Sequence, residues 1–146
     1  MTGEQMWAEF AARKNIEDTD YEAWAFGDHA DLLARLTLEG VKTATSSALP
    51  AYEREGEPLP EAGEYSVILD GRDEAVCVIL TERVTVVPFR EIGAEHARRE
   101  GEGDLSLAWW RRVHEAFFTR ELARMGQAFT PDMPVVCEEF RRVWPE

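Results

Sequence analysis

Two neighbouring runs of β-branched and apolar residues constrain the fold more than any other feature of this sequence. They read EYSVILD (residues 64–70) and AVCVILTERVTVVPF (residues 75–89), and only GRDE (residues 71–74) separates them. Such runs on either side of a short polar break predict two strands joined by a turn. The second run is long enough to bend or split, and we expect this to happen near Thr81.

Apolar residues at three- and four-residue spacing predict four helices. The clearest covers residues 105–126, has Asp104 or Ser106 as a suitable N-cap, and ends at Gly126. Its stripe comprises Leu107, Trp110, His114, Phe117, Phe118 and Leu122. The other predicted helices are residues 3–14, residues 29–39 (with Asp28 as N-cap and Gly40 as the stop) and residues 89–100.

The rest of the chain divides between strands and loops. VKTATSS (residues 41–47) and MPVVCEEFRRVW (residues 133–144) predict two further strands. Residues 15–28 are polar with interspersed aromatics and predict a loop. Residues 50–63 contain three prolines and predict a long, functional loop rather than a regular element.

This order of elements does not alternate strand and helix, so it predicts an α+β protein. We expect a small, mostly antiparallel β-barrel or sheet with flanking helices. A length of 146 residues, 45% of them hydrophobic, is sufficient for one domain with a real core. Residues 1–146 are therefore predicted to form a single domain, with a helical extension over about residues 1–20.

The charge balance limits which kinds of ligand the protein is expected to bind. Sixteen Lys and Arg residues against 29 Asp and Glu residues give a formal net charge of −13. Tight binding of long nucleic acid needs a basic surface, so this balance argues against it. It leaves room for a small ligand, or for RNA held by a local basic patch. The sequence leaves the oligomeric state open.

No metal, other cofactor or membrane segment is predicted. Cys77 and Cys137 lie far apart in apolar runs, as buried free thiols do. The three histidines, His29, His96 and His114, have no metal-ligand spacing. The sequence shows no signal peptide and no long apolar segment, so a cytoplasmic location is expected.

Three residues are candidates for catalysis. Lys42 and Thr45 follow the stop of a predicted helix, and a lysine partly removed from water can serve as a base for a hydroxyl nucleophile. Glu100 precedes the flexible GEGDLS segment and could act as a general acid or base. The alternative interpretations are a threonine-rich edge strand with a solvated lysine, and a solvated acidic face.

Several basic and aromatic residues are candidates for substrate binding. Arg98, Arg99 and Arg111 could receive phosphate or ribose groups, or could instead neutralise neighbouring glutamates. Trp24 and Trp109 are expected to be exposed and could stack on a base. His114 lies on the apolar stripe, where a core position is the alternative.

Four blocks of sequence resemble the ASCH domain family, which has a PUA-like fold. They are WAFGDHADLLARLTLEGVKTATSS, LPEAGEYSVILD, EGEGDLSLAWWRRVHEAFF and MPVVCEEFRRV, and they run from about Trp24 to the C-terminus. The resemblance implies a small β-barrel with a cleft and a role around RNA or modified nucleosides. The N-terminal helix and the chain length are similar to the branch of larger bacterial ASCH proteins.

Some ASCH members are similar to small amidohydrolases that deacylate N4-acetylcytidine with a Thr–Lys–Glu set. By motif this set corresponds to Thr45, Lys42 and Glu100, and Ser47 stands where the family often has a basic residue that binds substrate. The implied mechanism has a neutral Lys42 that takes the Thr45 proton, and a Glu100 that protonates the leaving amine. Two alternatives remain: a non-catalytic RNA-binding module, and a metal-independent ribonuclease assisted by Tyr52 or His114.

Overall fold

The computed structural model describes residues 1–146 and contains five α-helices and one five-stranded sheet. A short 3-10 turn, Phe89–Glu91, precedes the fourth helix. In chain order the elements are α1 (Gly3–Lys14), β1 (Tyr21–Ala25), α2 (Ala30–Leu38), β2 (Ala44–Ala48), α3 (Leu49–Glu55), β3 (Tyr65–Leu69), β4 (Ala75–Pro88), α4 (Ala94–Glu100), α5 (Leu107–Arg124) and β5 (Pro134–Trp144).

The sheet is a curled half-barrel with the strand order β1-β3-β4-β5-β2. The long strands β4 and β5 pair antiparallel at its centre, β3 pairs antiparallel with β4, and β2 pairs antiparallel with β5. The β4–β5 register shifts between Thr81 and Arg83, where we expected the long strand to bend. The predicted α+β class and the predicted hairpin are therefore confirmed.

Three hydrophobic clusters join the helices to the sheet. Helix α1 covers one part of the sheet by placing Met6 and Phe10 against Val67 and Val78. Helix α2 packs Leu33 and other apolar residues against a second part. Helix α5 buries Trp110, His114, Phe118 and Leu122, which are members of the predicted stripe, and Ser106 caps it as expected. None of the five helices is both long and apolar enough to cross a membrane.

Two predicted loops contain regular structure. Residues 21–25 form β1, which pairs in parallel with β3 from Tyr21↔Tyr65 to Ala25↔Leu69. Residues 49–55 form α3, with Pro50 in the first turn. A proline is tolerated there because the first N–H groups of a helix have no partner within it. Both loop predictions were therefore wrong over these residues.

Local details of α2 also differ from expectation. The N-cap is His29, in the left-handed region, and no side chain caps the helix. Asp28, the predicted cap, instead accepts a hydrogen bond from Arg120 at 2.6 Å. Gly40 follows the helix with a φ of +77°, as a C-terminal stop requires. The next strand begins only at Ala44, so Lys42 belongs to a connecting segment.

Candidate functional site

Backbone hydrogen bonds fix the segment between α2 and β2 on both sides. The N–H groups of Val41 and Lys42 donate to the Leu36 carbonyl at 2.9 and 3.0 Å. The Thr43 N–H donates to the Arg99 carbonyl, at the end of α4, at 2.7 Å. Lys42 therefore emerges from a rigid corner rather than from a mobile loop.

Gly101 allows α4 to approach this corner closely. Its φ is +72°, and a Cβ atom at this position would lie 2.5 Å from the Val41 carbonyl oxygen. Only glycine combines that backbone conformation with that approach. The residues on either side, Glu100 and Glu102, are thereby brought against Lys42.

The Lys42 ammonium is buried and fully hydrogen-bonded. Only 1% of its side chain is exposed. Its Nζ donates to Glu100 Oε1 at 3.0 Å, to Glu102 Oε2 at 2.7 Å and to the Glu100 carbonyl at 3.4 Å. Nζ also lies 5.2 Å from the centre of the Phe26 ring. Since an ammonium has three N–H groups, all its donors are used within the protein.

The second carboxylate oxygen of Glu100 accepts from a ring of donors. Ser46 Oγ donates to Glu100 Oε2 at 2.5 Å, and Trp110 Nε1 donates at 2.6 Å. His96 Nε2 lies 3.1 Å from the same oxygen and 2.7 Å from Ser46 Oγ. Ser46 has one hydroxyl proton, which goes to Glu100, so His96 Nε2 is the donor to Ser46.

The charges of this cluster stabilise one another. Burial lowers the pKa of Lys42, but the Glu100 and Glu102 carboxylates outweigh it and raise the pKa above 10.5. Burial raises the pKa of Glu100, but the Lys42 charge and hydrogen bonds from His114 and His96 hold it well below 4.5. Lys42 is therefore an ammonium and Glu100 a carboxylate. The expected neutral lysine base is wrong, because two carboxylates compensate for the loss of water.

His114 completes the cluster from α5. Its Nδ1 donates to the Trp110 carbonyl at 2.9 Å, and its Nε2 lies 3.6 Å from Glu100 Oε2. Burial lowers the pKa of His114, but the nearby Glu100 carboxylate raises it above 6.5. The ring also stacks on Trp110, with 4.2 Å between ring centres. His114 is thus both a core residue and a close neighbour of Glu100.

The alternation of β2 separates Thr45 from Ser46. Thr45 is opposite Glu138 on β5, whereas Ser46 is opposite Cys137. Because successive side chains point to opposite faces, Ser46 is the hydroxyl that bonds to Glu100, and Thr45 makes no hydrogen bond to that carboxylate. The hydrogen bonds of Lys42 go to glutamate oxygens and not to Thr45.

Lys42 and Thr45 nevertheless line the same cavity. This lysine cavity has a volume of about 430 Å³ and lies between α2, β2 and α5. Gly103 supports its wall, since a Cβ atom there would lie 2.3 Å from the Trp109 ring. Five of the predicted site residues line the cavity, namely Lys42, Thr45, Glu100, Trp109 and His114.

The other predicted binding residues lie elsewhere. Trp24, Ser47 and Tyr52 line a second cavity that borders the first. Arg98 and Arg99 pair with Glu95, at 2.6 and 3.2 Å, as in the alternative interpretation of local neutralisation. Those two arginines and Arg111, which is exposed, are absent from the walls of both cavities.

Sequence reasoning did not select Ser46, His96 or Glu102. Ser46 stands in the GVKTATSS segment, and the face it shares with buried Ala44 and Ala48 is a signal that could have identified it. Glu102 appeared only as one member of an acidic run. Its contact with Lys42 spans 60 residues of sequence and has no local signal.

A metal ion fits this cluster poorly. One ligand atom each from Glu100, Glu102 and His114 lies within 4.8 Å of the others. The Lys42 ammonium, however, already donates to both carboxylates. A divalent cation would meet that positive charge at close range, so the ammonium itself acts as the counter-ion.

The comparisons with known proteins decide the family. A family model described as ASCH domain matches residues 22–144. The chain belongs to the ASCH domain family. The ASCH domain structure from Lactobacillus crispatus is 30% identical, with a TM-score of 0.86, and the match covers 97% of this chain and 91% of that one. The PUA-like fold is therefore confirmed.

Other solved structures extend the comparison. An Enterococcus faecalis protein of family DUF984 is 35% identical, with a TM-score of 0.89, and the match covers 97% of this chain and 87% of that one. A hypothetical protein at 14% identity, with a TM-score of 0.54 over 85% of this chain and 100% of that one, shares the fold alone. The comparison with curated proteins found no match.

Proposed function

We propose that this ASCH domain is an amidohydrolase that removes the acyl group from an N4-acylated cytidine or a similar modified nucleoside. The observation that carries the proposal is the lysine cavity, whose lining includes Thr45 and Glu102 together with the buried Lys42–Glu100 ion pair. Its volume of about 430 Å³ lies in the range of small-molecule sites. Trp109 on its wall offers a surface on which a base can stack.

Lys42 and Glu100 act in this proposal as a fixed charged pair rather than as proton carriers. The donors of Lys42 are all used, and the lowered pKa of Glu100 prevents it from holding a proton near neutral pH. The pair positions Glu102 and keeps the cavity rigid. Such preorganised charge is effective where water is excluded.

Glu102 is the group best placed to move a proton. Its Oε2 accepts from Lys42, its Oε1 has no protein donor, and 14% of its side chain is exposed. In the first step Thr45 Oγ bonds to the acyl carbon and its proton passes to Glu102 Oε1. The C–N bond then breaks, and Glu102 returns that proton to the leaving amine.

A water molecule completes the cycle. It adds to the acyl carbon of the threonine ester while Glu102 takes one of its protons. The ester bond to Thr45 breaks, and the proton returns to the threonine oxygen. The products are the free acid and the nucleoside with its amine restored.

The test is release of cytidine from N4-acetylcytidine, followed by chromatography. We expect turnover by the wild type, and a loss of at least about 100-fold in kcat/KM for Thr45→Ala. Glu102→Gln should lose on the order of 10²–10⁴-fold, the usual range for a general base. Thr119→Ala, an exposed threonine on α5, is the matched control and should retain full activity. Absence of turnover, or full turnover by Thr45→Ala, contradicts the proposal.

Two alternatives stand beside the amidohydrolase, namely an RNA-binding module and a ribonuclease. An RNA-binding module agrees with the family, because the ASCH domain is an RNA-binding PUA-like fold. Of the arginines predicted to receive phosphate, Arg98 and Arg99 are engaged by Glu95, while Arg111 is exposed. For a ribonuclease assisted by Tyr52 or His114, only His114 shares the lysine cavity with Lys42, whereas Tyr52 lines the second cavity. Salt-dependent binding of short RNA without cytidine release would favour the binding module instead.

A further inference from the structure

The second cavity lies directly beside the lysine cavity. It has a volume of about 440 Å³ and is bounded by β1, β2, β3, α3 and the segment after α3. The two cavities share a wall made of Phe26, Gly27, Thr45, Ser46 and Phe117. We call the second one the glutamate cavity, because its charged lining residues are all glutamates.

No lysine, arginine or histidine lines the glutamate cavity. The lack of any basic residue makes it unsuitable for a phosphate or a carboxylate ligand. The same lack makes it suitable for a cation. Its glutamates are Glu22, Glu55, Glu57, Glu64, Glu121 and Glu138.

Glu138 distinguishes this cavity from an ordinary acidic surface. It is a central residue of β5 and only 7% exposed. Its Oε2 accepts from Thr81 Oγ1 at 2.7 Å, while its Oε1 has no protein donor and no basic side chain lies within ion-pair distance. A carboxylate removed from water normally has a cationic partner, and Glu138 has none.

The free oxygen of Glu138 faces the cavity. Every side-chain polar atom sealed inside the protein has a hydrogen-bond partner. The unpaired Oε1 is therefore in contact with open space, and Glu138 lines the glutamate cavity. Burial raises the pKa of Glu138, as do the charges of Glu64 and Glu22, so a bound cation would relieve a cost that the fold leaves uncompensated.

Aromatic side chains form part of the remaining lining. Trp24, Tyr52 and Tyr65 line the cavity together with the shared Phe26 and Phe117. A cation that loses water is attracted to aromatic faces. A cavity that combines carboxylates with aromatic rings favours an alkylammonium ion.

We propose that the glutamate cavity binds the primary ammonium group of a small aliphatic amine, with Glu138 as the anchoring carboxylate and Trp24 and Tyr52 as aromatic walls. An ammonium fits better than a guanidinium because Glu138 offers one free oxygen, and a guanidinium pairs best with two. Glu138 is opposite Thr45 in the sheet, so the bound amine lies beside the proposed nucleophile. This inference does not rest on the proposed amidohydrolase activity.

The test is calorimetric titration of the full chain with n-pentylamine at about 0.15 M salt, where exposed charges are largely screened. Pentan-1-ol has the same chain without the charge, and pentylguanidine replaces the ammonium. We expect saturable binding of one pentylamine, at least tenfold weaker binding of pentylguanidine, and no saturable binding of pentanol. This comparison uses only the wild type and needs no variant to fold. Equal binding of the alcohol, or no binding of the amine, overturns the proposal.

Two variants then test whether Glu138 is the carboxylate that binds the amine. Glu138→Gln keeps the shape and an oxygen for Thr81, and should weaken pentylamine binding at least tenfold. Glu91→Gln removes an exposed glutamate outside the cavity and should leave binding unchanged. An equal loss in both variants would show attraction to the general negative charge and overturn the proposal. Unchanged binding by Glu138→Gln would overturn it as well.

Discussion

Replacement of Lys42 by methionine tests the central ion pair. Methionine has a similar length, so the main change is the loss of the ammonium and of its three hydrogen bonds. Glu100 then remains buried and charged, with Ser46, Trp110 and the histidines as its donors. Glu102 is less affected, because 14% of its side chain already reaches solvent.

The expected loss of stability comes mainly from Glu100, which stays buried, and less from Glu102, which reaches solvent. Removing one partner of a buried ion pair destabilises a protein by about 3–5 kcal/mol. The remaining donors of Glu100 place the expected loss near the lower end, about 3 kcal/mol, against a typical total stability of roughly 5–15 kcal/mol. Urea unfolding at pH 7, followed by tryptophan fluorescence, measures it. The double variant Lys42→Met/Glu100→Gln should lose about 1–3 kcal/mol less than the sum of its single variants.

The chain contains its own matched control. Lys14 is the only other lysine, and it pairs with Glu146 at the surface. Lys14→Met should show no measurable change in the urea midpoint, since exposed pairs contribute little. If Lys42→Met changed the midpoint no more than Lys14→Met, the buried ammonium would not hold the site together and the assignment of its charge would be refuted.

Two further predictions concern stability. The pKa of Glu100 is held below 4.5, so its charge stabilises the fold above that pH, and this stability is lost as pH falls through the folded pKa. Urea midpoints measured from pH 6 downward should therefore fall less steeply in Glu100→Gln than in the wild type. Equal slopes for the two proteins would contradict this prediction. Gly101→Ala should destabilise more than Gly126→Ala in urea unfolding. Both glycines have positive φ, but only at Gly101 does an added Cβ meet backbone, and equal losses would argue against that contact.

The elements with strong periodicity were predictable from the sequence. The apolar stripe of α5 and the alternation of apolar residues in the β3–β4 hairpin indicate which faces are buried. Both predictions were confirmed. The strand β1 was not predictable in this way. It is a five-residue parallel edge strand, and its partner β3 lies about 40 residues further along the chain, so local sequence carries little trace of the pairing.

The sequence selected several residues that line the candidate site, but it did not predict their charges and contacts. Lys42, Thr45 and Glu100 do line one cavity. The charge of Lys42 could not be inferred, because it depends on carboxylates 58 and 60 residues away. The role of Ser46 depends on where β2 begins, since a shift of one residue exchanges the faces of Thr45 and Ser46.

The shared wall between the two cavities has a consequence for variation in this chain. Thr45 and Ser46 are adjacent on one strand, and both belong to the set of residues that line the two cavities. A substitution that changes the backbone or the side-chain directions at Thr45 or Ser46 therefore changes the shape of the lysine cavity and of the glutamate cavity. At these two positions the ligand preferences of the two cavities cannot be changed separately. A substitution that alters ligand binding in one cavity alters it in the other.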